Sequence, residues 1–145
     1  MRWITRTHIH VDRVACPWLI RRFVDSQAEF LFVARERVGA VAAEHRAIPF
    51  DVADVELGHH AGKCSFEAIM TKYALTDPAL ERMARIVHAA DIAADLATDP
   101  IAPGLEAIAA GFSLLIPDDH ANLEAQFPLY DALYAWCRLQ VAAGR

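Results

Sequence analysis

The sequence predicts an α+β fold: a small sheet with flanking helices in the N-terminal half, packed on a helical C-terminal half. Residues 1–145 form a single domain in this reading. Two features of the pattern carry it. Short β-branched and aromatic runs alternate with helical stretches up to about residue 57, and from Ser65 onward the periodicity is helical throughout. Size agrees, because 145 residues with 55% apolar and 23% charged content suit one core.

The elements follow in order. Arg2 to Arg6 (RWITR) reads as a strand. Cys16 as N-cap and Pro17 at the first helical position open a helix to about Val24. Glu29 to Val33 (EFLFV) suits a buried strand, and Arg35 to Arg46 a modest amphipathic helix. Ile48 to Val52 and Val55 to Leu57 read as short strands, with Pro49 placing the first at an edge or a strand start. Helices are expected at 65–75, 78–94, 103–116 and 119–141, with Pro78 and Pro103 in first turns and Asp118 or Asp119 capping the last. Pro128 predicts a kink or break inside that last helix.

Composition excludes several classes. The apolar content and modest charge exclude intrinsic disorder. No window of about 18 residues lacks charge, so no membrane span is expected. The N-terminal MRWITRTHIHVDR has no apolar stretch of the kind a signal peptide needs. A net charge of −5 argues against direct nucleic-acid binding. Cys16, Cys64 and Cys137 are widely spaced, with no CxxC pair, which predicts reduced thiols in a cytoplasmic protein. Phosphate-loop, GxSxG, HExxH and dinucleotide signatures are all absent.

Three segments place polar residues where packing alone would not. On the helix 78–94, Leu80, Met83, Val87, Ala90 and Ala94 make an apolar stripe. Asp91 lies on that stripe and His88 at its edge. A carboxylate on a buried face is costly unless paired or coordinated. The i,i+3 spacing suits two ligands of one metal or a carboxylate orienting an imidazole; the plainer reading is a buried Asp–His hydrogen bond that only fixes the helix. The second segment is ELGHHAGKCSFE, where Gly58 and Gly62 mark a turn and His59, His60, Cys64 and Glu67 cluster. Those donors suit a divalent transition metal, although Glu67 would also complement a helix N-terminus and Cys64 would also pack as a small hydrophobe. The third is DRVACPWLIRRF. There Cys16 at a helix start would have its thiolate favoured, and Arg13 with Arg21 or Lys63 would hold a small oxyanion. Asp12 and Arg13 pairing with each other is the plainer alternative. His8 and His10 share one face of an extended stretch, and Tyr130, Tyr134, Trp136 and Cys137 suit helix packing or a homo-oligomer face.

In order, the blocks DRVACPWLIRRFVD, AEFLFV, IPFDV, ELGHHAGKCSFEAI, ARIVHAADI and LYDALYAWCR resemble the C-terminal domain of the chromate resistance protein ChrB family, from Trp3 to about Arg138. The resemblance implies a cytoplasmic bacterial protein tied to chromate resistance. In two-domain members an N-terminal DNA-binding region precedes this domain and the whole acts as a chromate-responsive regulator. The ChrB-like part starts at the beginning of this chain, so direct DNA binding is not expected of it.

Two hypotheses from different classes result. One is a metal centre with His59, Glu67, His88 and Asp91 holding Fe, Mn or Zn, and His60 as substitute for His59. Asp12, Arg13, Cys16, Lys63 and Cys64 stand behind it, and an oxyanion such as chromate is bound, sensed or acted on. The other is a metal-free regulatory module that binds the oxyanion on Arg13, Arg21 and the Cys16–Pro17 helix start and acts through a partner protein. The residues do not choose between binding and catalysis.

Overall fold

The computed structural model describes all 145 residues. Its sheet has three parallel strands, β1 (Arg2–Arg6), β2 (Glu29–Val33) and β3 (Ile48–Pro49), in the order β2-β1-β3. Trp3 pairs with Phe30 on one side and Ile48 on the other. Side chains alternate across the pleat, so Trp3 joins the main core while Ile4 turns to the opposite face.

Two helices cover those faces. The crossover from β1 to β2 is α1 (Asp12–Leu19), which continues through a π-helical turn at Ile20–Val24. The return crossover is α2 (Val38–His45), preceded by a 3₁₀ turn at Arg35–Arg37. Val14, Cys16, Trp18 and Leu19 of α1 pack with Trp3 and Phe30, whereas Val38 and Val41 of α2 pack with Ile4. Opposite helix placement is what right-handed crossovers running in opposite directions across one sheet require.

The remaining chain is helical: α3 (Ser65–Lys72), α4 (Pro78–Asp91), a 3₁₀ segment at Ala93–Thr98, α5 (Ala102–Leu115) and α6 (Asp119–Ala142). Asp77 caps α4 by accepting from Ala79 N–H, and Asp118, one of the two caps the sequence offers for α6, accepts from Ala121 N–H. A contiguous core of 32 buried residues runs from the sheet through α1 to α4, α5 and α6. The α6 helix is tied to α1 by Asp131, which accepts from Trp18 Nε1 at 2.7 Å and from Arg22 Nε and guanidinium at 3.0 Å. No helix is long and apolar enough to cross a membrane.

Several boundaries differ from expectation. The first helix starts at Asp12, so Cys16 and Pro17 lie in its interior. Missing N–H groups are tolerated throughout the first turn of a helix, and Pro17 sits just beyond it, before the helix widens into its π turn. The run Ile48–Val52 stops pairing early because Asp51 has a left-handed backbone, φ 49°. Val55–Leu57 contributes only the bridge between Phe50 and Leu57. Helix α4 ends at Asp91, where Ile92 turns extended. Finally, α6 runs unbroken through Pro128. Tyr130 and Cys137 are fully buried in helix packing, with Tyr134 and Trp136 lying against the same core.

Candidate functional site

Parallel sheets collect loops at the carboxyl ends of their strands, and ligands bind where the strand order reverses. Here the reversal lies between β1 and β3. Arg6 ends β1, Arg35 follows β2, and Asp51 to Asp54 follow β3. These residues, with His10, Arg13, His59 and Asp91, line a pocket of about 660 Å³.

Asp51, His59 and Asp91 belong to a cluster of four side chains, whose fourth member, Asp12, is buried beneath the pocket. Asp12, Asp51, His59 and Asp91 each offer a ligand atom within 4.8 Å of the others. His59 Nε2 lies 3.1 Å from Asp51, 3.2 Å from Asp91 and 3.6 Å from Asp12. Each carboxylate is held from behind. Asp12, fully buried, accepts from the Ser65 N–H at 2.8 Å and the Phe66 N–H at 3.2 Å, so it caps α3 from a distance in sequence. The Cys16 thiol donates to it at 3.1 Å. Asp51 accepts from the Ser65 hydroxyl at 3.1 Å and Arg13 at 3.4 Å. Asp91 accepts from the Asp12 N–H at 3.4 Å.

Burial and mutual repulsion make Asp91 and Asp12 resist ionising. Burial and the other two carboxylates raise Asp91 to about 7. Burial and Asp51 raise Asp12 as well. His59 answers them: its contacts with Asp12 and Asp51 lift the imidazole to about 10. Backbone strain accompanies the cluster, because β-branched Val11, immediately before Asp12, sits at φ 31°, ψ −91° and Asp51 at φ 49°. Tyr130 donates to Val11 C=O, and Asp119 accepts from the His8 and Ile9 N–H groups, which pins this approach to α1. Above the cluster, the Nε atoms of Arg6 and Arg13 are buried without partners.

The other residues singled out by sequence fall elsewhere. Glu67 and His88 are absent from this cluster. They form a second cluster with Cys64 on the far side of the α3 N-terminus. The grouping of His59, Glu67, His88 and Asp91 in one site is therefore divided in two: His88 and Asp91, three residues apart on α4, enter different clusters. Cys16 is no helix-start thiolate, since burial and the Asp12 carboxylate push its thiol well above the ordinary range. Arg21 faces away, donating to Ala28 C=O and pairing with Glu124. His60 bonds to Val55 C=O, and Lys63 lines a separate cleft. His10 extends past the strand to the pocket rim, and burial lowers its pKa.

Sequence reasoning missed Asp51, Arg6 and Arg35. The available signal was their position at or just past the carboxyl ends of three short strands, readable once those strands are taken as parallel.

Fold and site together define a class, a small α+β domain whose parallel strands open onto a carboxylate–imidazole pocket ringed by arginines. Within it, the chain belongs to the ChrB C-terminal domain family, whose model matches residues 3–137. It is 35% identical over 134 residues to Protein ChrB of Cupriavidus metallidurans, covering 92% of this chain. The chain spans 40% of that relative's length. No solved structure matches the chain at a significant level.

Proposed function

We propose that this domain binds a divalent transition metal, Fe, Mn or Zn, on Asp12, Asp51, His59 and Asp91, and takes a small oxyanion into the arginine-lined pocket above it. Membership of the ChrB family associates the chain with chromate resistance, and chromate is the oxyanion that this context names. The observation that carries the reading is the convergence of three carboxylates with one imidazole within 4.8 Å at the carboxyl end of the sheet. Clustered carboxylates out of water need a cation, and an O₃N donor set suits these metals with positions left open. Arg6, Arg13 and Arg35 supply the complementary charge for the anion.

A second reading has one observation in its favour. Protonated His59 can itself be the cation among the carboxylates, which leaves a metal-free anion pocket.

Elemental analysis of tag-free protein purified without chelator separates the two. The Asp51→Asn/Asp91→Asn double variant is expected to carry one metal equivalent per chain fewer than the wild type, and His88→Ala to keep that equivalent. Chromate or sulfate binding, read by calorimetry, should then weaken with chelator and in Arg13→Ala. Wild-type protein without metal, or the double variant with wild-type metal content, overturns the metal reading. Anion binding that survives chelation supports the metal-free module.

A further inference from the structure

Cys64, Glu67 and His88 lie on the other side of the α3 N-terminus from the carboxylate pocket. Cys64 occupies the N-cap position of α3 and is fully buried. Glu67, three residues on, reaches back to accept from the Cys64 N–H at 2.9 Å, which fixes the carboxylate beside the sulfur. Helix α4 delivers His88, whose Nδ1 lies 2.8 Å from the same Glu67 oxygen. The ligand atoms of all three lie within 4.8 Å of one another. The remaining imidazole nitrogen, Nε2, is 2.7 Å from Asp95 in the 3₁₀ segment after α4.

We propose that Cys64 Sγ, Glu67 Oε1 and His88 Nδ1 form a second metal site, selective for Zn, with Asp95 as the residue that orients the imidazole. The donor set is sulfur, oxygen and nitrogen, which zinc prefers over harder cations. Bonds of about 2.0–2.3 Å place tetrahedral ligands roughly 3.3–3.7 Å apart, so the cluster needs an opening of only about half an ångström at the Nδ1–Oε1 contact. A carboxylate on the outer nitrogen of a metal-bound histidine fixes its tautomer and ring plane, and Asp95 stands in that position. Access for the ion comes from a cleft of about 420 Å³ that Glu67 lines together with Lys63, Glu81 and Arg85. Binding displaces the thiol proton of Cys64 and any proton on Nδ1, both of which leave to solvent. This site does not depend on the proposal for the carboxylate pocket, whose four ligands include no sulfur.

Cobalt(II) reads it directly, because thiolate ligation produces a sulfur-to-cobalt charge-transfer absorption in the near ultraviolet that oxygen and nitrogen donors do not. Full-length, tag-free, metal-stripped protein titrated with cobalt(II) is expected to develop this absorption to one equivalent per chain. Asp51→Asn/Asp91→Asn should keep it. Cys64→Ser should lose it, and a serine at an N-cap position supports the helix, so the variant is expected to fold. Asp95→Asn should retain the absorption but weaken zinc affinity roughly 10–100-fold, measured by competition with a chromophoric chelator. The proposal is overturned if cobalt saturates the wild type without sulfur absorption. It is equally overturned if the absorption survives in Cys64→Ser and disappears in Cys16→Ser, which would put the sulfur ligand at the carboxylate pocket.

Discussion

Replacing Asp91 with asparagine should stabilise the metal-free protein while removing one ligand of the proposed metal site. Asp91 titrates near 3.8 in an unfolded chain and at about 7 in the folded protein, because burial and the Asp12 and Asp51 carboxylates oppose its charge. A shift of that size makes ionised Asp91 cost the fold about 4 kcal/mol. The folded state holds the proton more tightly, so stability falls as pH rises from 3.8 through about 7 and is level above that. The asparagine side chain carries no charge and keeps one oxygen, but it cannot accept from both the Asp12 N–H and a protonated His59. That loss is about 1 kcal/mol. The net expectation is a gain of about 3 kcal/mol at about pH 8, shrinking to near zero at about pH 4.5. In a domain of this size that is roughly 6–12 °C in Tm. Thermal melts followed by circular dichroism across this pH range, with chelator present, measure it. Saturating metal should reverse the order, since the proposed site keeps all four ligands only in the wild type. An Asp91→Asn variant less stable than the wild type at the alkaline end would refute the reasoning, because the carboxylates would then not be opposing one another.

Two further outcomes follow from the same geometry. His88 lies between Glu67 and Asp95, and although burial alone would lower its pKa, those two carboxylates raise it. Its charge therefore supports the fold fully below 6.5, and the support is lost as pH rises through the raised folded value. In chelator, His88→Gln should cost about 1–3 kcal/mol near the acidic end of a urea-denaturation series and less in alkali; a cost independent of pH would contradict this. Gly58 allows the loop that carries Asp51 and His59 to fold back on itself, since a Cβ there would meet Val52 C=O at 2.5 Å and Val55 C=O at 3.2 Å. Gly58→Ala should lower both Tm and metal content, whereas Gly62→Ala, at φ 78° in open space, should cost only about 1 kcal/mol and leave binding intact. Metal content lost in the Gly62 variant but kept in the Gly58 variant would argue against this role for the loop.

The α+β class, the strands at Arg2–Arg6 and Glu29–Val33, and the cap at Asp118 were legible in the sequence because each rests on neighbours a few residues apart. So was the oddity of Asp91, since one turn of helix periodicity shows a carboxylate on an apolar face. What periodicity could not show was its company. Angular position says that His88 and Asp91 lie close on α4, but not that the α3 N-terminus stands between them and sends each to a different cluster. Nor could it show that Asp12 caps a helix that begins at Ser65, or that Asp51, just past a two-residue strand, faces His59 across the sheet's carboxyl edge. Local sequence sets which side of an element a residue occupies. Long-range packing sets what that side meets: the pairing of β1 with β3 brings Asp51 to the first cluster, and the packing of α3 on α4 joins Glu67 to His88 in the second.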